Sequence, residues 1–224
     1  KGGKKLSGEV SASGAKNSAL PLLFSTLLAE GKHVFHNVPQ LNDIDSTCQL
    51  LHYLGCETSR SGARLEVHVR RPKDLTAQYD VVRKMRASIL CMGPLLAKYK
   101  EALVSLPGGC AIGTRPINYH LEGFKALGAE MNVEKGYVRA TTHGLKGDRV
   151  IFEMPSVGAT ENLVMAASLS QGTTVIENAA KEPEIVDLAD YINKMGGKVS
   201  GAGSSIVTIE GVNELKPAEH EVIP

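Results

Sequence analysis

The chain has no tryptophan, and only 4% of its 224 residues are aromatic. A core must therefore be built from Leu, Ile, Val, Ala and Met. Its four cysteines, Cys48, Cys56, Cys91 and Cys110, show neither a CxxC pair nor paired histidines at ligand spacing. That pattern argues against a structural zinc site and against a disulfide framework, so no metal is expected. Charge of one sign is also missing: the formal net charge is +1. A near-neutral chain without a basic stripe gives no footing for nucleic acid. The longest apolar run, Ala19 to Ala29, is interrupted by Pro21, Ser25 and Thr26 and is too short to span a bilayer. The opening Lys1-Gly2-Gly3-Lys4-Lys5 has no apolar stretch behind it that reads as a signal peptide. The expectation is a cytoplasmic protein with individual thiols in a reducing compartment.

What is present is repetition. Leu54-Gly55-Cys56-Glu57, Leu127-Gly128-Ala129-Glu130 and Met195-Gly196-Gly197-Lys198 close three similar stretches. Ile44, Ile117 and Ile185 stand at one fixed distance before those glycines, and Leu51, Phe124 and Ile192 at another. This is helical spacing ended by a glycine C-cap, repeated every 70 residues or so. Each unit carries an earlier, more apolar helix, near Lys16 to Glu30, Arg86 to Lys98 and Ala159 to Ser170. Two of these leave by matching exits, Gly31-Lys32-His33-Val34 with Asn37 and Gly172-Thr173-Thr174-Val175 with Asn178. β-rich pieces such as Leu65 to Val69, Ala102 to Leu106 and Val150 to Phe152 fill the gaps. The expected fold is α/β (α+β): three repeats, about 7–76, 77–148 and 149–214, packed around a shared axis with their apolar helices inside.

Two of the apolar helices open on a cation, Lys16 and Arg86. A cation in the first turn opposes the helix dipole. Either a bound anion compensates, gripped by free N–H groups and the cation together, or both are plain surface residues. The third helix opens on Ser156-Val157-Gly158-Ala159-Thr160, a small turn able to offer backbone N–H groups.

The loop Leu106-Pro107-Gly108-Gly109-Cys110-Ala111-Ile112-Gly113-Thr114-Arg115-Pro116 lies between a β-like run and the helix of Ile117. Its glycines let backbone approach a ligand closely, and Pro116 suits a first helical position. Cys48, Cys56 and Cys91 fall in apolar patterns and read as small buried hydrophobes. Cys110 does not. A thiol near a helix N-terminus and Arg115 would have a lowered pKa, making it a candidate nucleophile or general acid, against the alternative of an ordinary loop cysteine. His120 follows Arg115-Pro116 by about one turn. The loop is neither a Walker motif nor a dinucleotide fingerprint, so no ATP or NAD cofactor is expected.

Taken in order, Ser13 to Asn17, Met85 to Ser88, Pro107 to Pro116, Ser156 to Asn162 and Glu177 to Glu184 resemble the UDP-N-acetylglucosamine 1-carboxyvinyltransferase family of enolpyruvyl transferases, over essentially the whole chain. The resemblance implies a domain of three βαβαββ units arranged as an inside-out barrel, one half of a two-domain enzyme. It implies transfer of enolpyruvyl from phosphoenolpyruvate to the 3-hydroxyl of UDP-N-acetylglucosamine, the committed step of peptidoglycan synthesis. Carried over by motif, Cys110 is the proton donor and the thiol that fosfomycin alkylates. Lys16, Asn17 and Arg115 would hold phosphoenolpyruvate. Arg86, Arg115, Pro116, Ile117, Asn118, Tyr119, His120, Ser156, Val157 and Gly158 would hold the sugar nucleotide. Asn118 stands where many relatives have Asp, Tyr119 where many have Leu, and Met154 where some have Lys. The family is nearly twice as long, so residues 215–224 are expected to begin a connection to a second domain, the chain's partner in the same enzyme. The chain alone would then turn over little. The alternatives are 3-phosphoshikimate 1-carboxyvinyltransferase, within the same fold, a silent UDP-sugar-binding module, or a scaffold repeat protein that binds no anion.

Overall fold

The computed structural model describes residues 2–5, 7–71, 75–77, 86–105 and 117–224, with backbone alone at 86 and 87. The first unit runs α1 (Lys16–Ser25), β1 (Gly31–His36), α2 (Asn42–Tyr53), β2 (Glu57–Ser61) and β3 (Arg64–Val69). The second runs β4 (Thr76–Ala77), a 3-10 helix (Arg86–Cys91), α3 (Met92–Tyr99), β5 (Glu101–Ser105), α4 (Asn118–Ala126), β6 (Glu130–Glu134) and β7 (Tyr137–Thr141). The third runs β8 (Arg149–Ile151), α5 (Val157–Ala167), β9 (Thr173–Glu177), α6 (Pro183–Lys194), β10 (Lys198–Ser200) and β11 (Ile206–Glu210), and β12 (Glu219–Glu221) follows.

Each unit forms a four-stranded sheet of one topology, ordered β4-β5-β7-β6, β8-β9-β11-β10 and β12-β1-β3-β2. In each, the first strand is parallel to the second and the rest are antiparallel. The first unit thus takes its leading strand from the far end of the chain. Residues 215–224, expected to begin a connection, contain that strand. Asn37 and Asn178 make the equivalence exact in kind: both are left-handed, at φ 56° and 55°. Asn37 Nδ2 donates to Val222 O at 3.0 Å, just past β12, and Asn178 Nδ2 to Phe152 O at 3.0 Å, just past β8.

The helices divide by composition. Ser18 to Ser25 of α1, Met92 to Ala97 of α3 and Ala159 to Ala167 of α5 are buried residue after residue, with no solvent-facing stripe. A helix apolar all round belongs inside. α3 packs on α5, and α1 packs on both α5 and the Arg86–Cys91 segment. α2, α4 and α6 instead bury a single stripe, such as Ile185, Leu188 and Ile192 of α6. Alternating burial along β3 and β7 leaves one sheet face to solvent. Helices inside and sheets outside give the inside-out arrangement.

The three glycine caps are three copies of one Schellman motif. Gly55, Gly128 and Gly196 have φ of 88°, 86° and 97°, which a side chain would resist. The following N–H of Cys56, Ala129 and Gly197 reaches back to Leu51, Phe124 and Ile192, at 2.9 Å each time. Two boundaries differ from expectation. The helix after the cysteine loop opens at Asn118 with Ile117 as its N-cap, two residues beyond Pro116. The apolar helix of the second unit changes from 3-10 to α at Met92. Two causes stand there: Pro94 lacks an N–H, and Gly93 gives its own to Asn162 Oδ1 at 2.8 Å.

Candidate functional site

Three first turns carry the residues singled out by sequence. Lys16 is the first residue of α1 and Asn17 the next, both exposed. Arg86 is the first residue of the 3-10 helix, described by backbone only. Val157 and Gly158 open α5, whose N-cap Ser156 accepts from Ala159 N at 3.4 Å. Cys110, Arg115 and Pro116 lie outside the described residues, so the geometry of the loop does not enter here.

Lys16 is not left unpaired for an anion. Its Nζ lies 2.9 Å from Asp43 Oδ2 in the first turn of α2. The pair is exposed, with side chains 45% and 38% accessible. An exposed pair of this kind contributes only about 0.2 to 1 kcal/mol, so an incoming dianion could compete for the ammonium.

The two segments 117–120 and 156–158 meet through His120 and Gly158. A Cβ built on Gly158 would sit 3.4 Å from His120 Cε1 and 3.5 Å from its Nε2. The imidazole thus lies against the first turn of α5, where N–H groups are unspent by the helix. Tyr119 packs on Phe152, the residue after β8, with ring centres 5.6 Å apart and planes tilted by 56°. Ile117 is half-buried and Asn118 exposed. Met154 is also exposed, so the apolar side chain at that position faces solvent.

His120 is held from behind by Asn162, which sequence reasoning quoted within a motif but did not assign. Asn162 is fully buried in α5. Its Nδ2 donates to Ile89 O at 3.0 Å and to His120 Nδ1 at 3.0 Å, while its Oδ1 accepts from Gly93. Asn162 Nδ2 can only donate, so His120 Nδ1 is the acceptor and Nε2 carries the proton on the side of Gly158. One amide therefore ties α5 to α4 and to the helix of the second unit. The available signal was the polar run Thr160-Glu161-Asn162 inside an otherwise apolar helix.

The described thiols contrast with what catalysis needs. Burial pushes Cys56 and Cys91 up to about 12 and raises Cys48. Cys56 and Cys91 are fully buried as expected, whereas Cys48 is only partly so. Glu161, one residue before Asn162, is buried with its carboxyl raised well above the usual range by desolvation and then by Glu184 and Glu182. Among the described residues no cluster of three or more His, Cys, Asp or Glu forms a metal site, and no helix is long and apolar enough to cross a membrane.

Three like four-stranded units closing around buried helices define the enolpyruvyl-transferase class of fold. The solved enolpyruvyl transferase NikO from Streptomyces tendae superposes with a TM-score of 0.85 at 19% identity, covering 100% of this chain and 53% of that one. An EPSP synthase from Acinetobacter baumannii superposes at 0.75, also with 19% identity, covering 96% and 49%. The EPSP synthase (3-phosphoshikimate 1-carboxyvinyltransferase) family model matches residues 1–224. The chain belongs to that family. At higher identity it is similar to two proteins named UDP-N-acetylglucosamine 1-carboxyvinyltransferase: 60% over 223 residues in Bdellovibrio bacteriovorus and 52% over 224 in Geobacter metallireducens. In both it spans 54% of the relative's length and 100% of its own.

Proposed function

We propose that this chain is the cysteine-loop half of an enzyme that moves enolpyruvyl from phosphoenolpyruvate to the 3-hydroxyl of UDP-N-acetylglucosamine, in the cytoplasm and toward peptidoglycan. The observation that carries the reading is the meeting of residues 117–120 with the first turn of α5, in a chain 60% identical to a protein of that name. The N–H groups of Val157 and Gly158 and the helix dipole suit a diphosphate. Asn118 would pair with the uracil edge, with His120 Nε2–H beside it. Ile117, Tyr119 and Pro116 would complete that segment, and Arg86 would reach the sugar nucleotide from its own helix start. Lys16, Asn17 and Arg115 would take phosphoenolpyruvate, with Lys16 exchanging Asp43 for the phosphate.

In the reaction a proton goes to C3 of phosphoenolpyruvate as the sugar hydroxyl attacks C2. The C2–O bond forms, the tetrahedral adduct loses a proton from C3, and phosphate leaves with the C–O bond electrons. Cys110 is assigned the proton donor; general acid help of this kind contributes about 10² to 10⁴ in rate. The other half of the cleft would come from sequence beyond this chain, since the relatives are nearly twice as long. Turnover by these 224 residues alone at full rate would contradict that part. The shikimate-pathway reaction is the second reading, favoured by the description of the family model.

The test is selective alkylation. Fosfomycin followed by mass spectrometry should label Cys110 and spare Cys48, Cys56 and Cys91, with labelling increased by UDP-N-acetylglucosamine. Absence of a Cys110 adduct, or equal labelling of all four thiols, would sink the assignment of the thiol.

A further inference from the structure

Behind the first turn of α1 lies a buried polar chain that the site as described does not use. Ser18 is the third residue of that helix, directly after Lys16 and Asn17. Its Oγ–H donates to Asp187 Oδ2 in α6. His220 Nε2 lies 2.7 Å from Asp187 Oδ1, and Lys194 Nζ lies 3.0 Å from His220 Nδ1. An ammonium only donates, so Nδ1 must accept, and Nε2 carries the proton that points at the carboxylate. Ser18, Asp187 and His220 are 0%, 3% and 5% exposed. Tyr191 packs edge-on to His220 at 5.3 Å, and its hydroxyl donates to His33 Nδ1 at 2.5 Å.

The same carboxylate also touches the chain's far end. Ile223 N lies 3.5 Å from Asp187 Oδ2, and Ile223 O accepts from Ala15 N at 2.7 Å. Ala15 is the N-cap of α1. The turn has no slack on its other flank, since a Cβ on Gly14 would lie 2.1 Å from Asn37 O. Among the described residues Asp187 is thus bonded to α1, to β12 through His220, and to the residue that holds the helix cap.

A buried ion is a poor way to gain stability, because desolvation consumes most of the attraction and apolar packing would serve as well. What it supplies is direction: a carboxylate with three fixed partners allows one rotation and one height of the turn it holds.

We propose that Asp187 is a positioning residue. Through Ser18 it sets the first turn of α1, and so the placement of Lys16 and Asn17 toward phosphoenolpyruvate, without touching the ligand. The ligand part rests on the function proposed above, while the positioning part does not.

The experiment compares Asp187→Ala, Asp187→Asn and Ser18→Ala with the wild-type chain. Amide hydrogen exchange is read at Ala15 and Ala19, in the turn, and at Ser168, at the end of α5. Affinities for phosphoenolpyruvate and UDP-N-acetylglucosamine are read by calorimetry. Asp187→Ala should speed exchange at Ala15 and Ala19 at least tenfold more than at Ser168. It should weaken phosphoenolpyruvate at least tenfold and UDP-N-acetylglucosamine less than twofold. Asp187→Asn, whose amide oxygen can still accept from His220 and whose amide nitrogen can donate to Ser18 but not accept from Ile223 N, should fall between wild type and Asp187→Ala. Ser18→Ala should show the same selectivity at smaller size, and it decides the matter if Asp187→Ala does not fold. Uniform acceleration of exchange, equal loss of both ligands, or an Asn variant as impaired as Ala would overturn the proposal. If the wild type binds neither ligand, the proposed function fails, and exchange alone decides whether Asp187 positions the turn.

Discussion

Truncating Asn162 to Ala should cost more than any single surface contact in this protein, because three elements lose their joint at once. The side chain is fully buried and spends all of its hydrogen-bonding groups inside the protein. Gly93 N–H would be left with no partner in a dry helix crossing, a penalty of about 1 to 3 kcal/mol. His120 Nδ1 and Ile89 O each lose a donor, and the vacated volume adds a cavity cost. Together these give about 3 to 5 kcal/mol. In a chain of this size each kcal/mol moves the midpoint by about 2 to 4 °C, so a fall of about 10 °C is expected. Urea denaturation should show the loss as a lower midpoint at unchanged m. A double-mutant cycle with His120→Ala should return a coupling of about 1 kcal/mol, since residues sharing a hydrogen bond are not additive. A loss below about 1 kcal/mol, or strictly additive effects, would refute the view that this amide organises the crossing.

The two glycines at the central crossings should respond unequally to alanine. At Gly93 a Cβ would meet Asn162 backbone oxygen at 2.5 Å, whereas at Gly123 it meets the methyl ends of Leu163 at 2.5 and 2.7 Å. Thermal melting should therefore find Gly93→Ala the more damaging, by about 1 kcal/mol or more, because overpacking is cheap only where a side chain can swing away. His33 is buried and held down to about 4, chiefly by desolvation, with Ala29 O opposing. The unfolded chain binds that proton near 6.5, so acid favours unfolding: stability should fall by up to about 3 kcal/mol from pH 6.5 to 4. His33→Gln should flatten that part of the profile, and an unchanged profile would contradict it. Glu161 has the opposite sign. Burial raises its carboxyl well above the usual range, so the fold favours the protonated form and stability is lost as pH rises above the ordinary carboxylate range. Glu161→Gln should raise the melting temperature at pH 7 and leave it unchanged at pH 4.

The repeats were legible because each rests on local chemistry. Glycine at a C′ position and isoleucine or leucine at helical spacing need no tertiary knowledge, and Gly55, Gly128 and Gly196 all took the backbone their caps required. The apolar helices were legible for the same reason: runs such as Leu20 to Phe24 and Leu163 to Ala167 carry no charged residue. The closure of the first sheet was not. β12 has only three residues and lies at the opposite end of the chain from β1, so no local period links them; the paired roles of Asn37 and Asn178 held the clue. Asn162 and Asp187 escaped because their partners, Gly93, Ile89, His120, Ser18 and His220, are brought together only by packing. The partner of Lys16 was not legible, and the choice between a bound anion and a plain surface residue stayed open, because Asp43 belongs to the next helix.

Ligand-dependent melting tests the assigned chemistry most directly. At a hundredfold excess over its Kd, UDP-N-acetylglucosamine should stabilise the chain by about 2.7 kcal/mol, a rise of about 5 to 10 °C, with shikimate 3-phosphate leaving the midpoint where it was. Stabilisation by shikimate 3-phosphate with none from the sugar nucleotide would contradict the account, whatever the fate of the thiol.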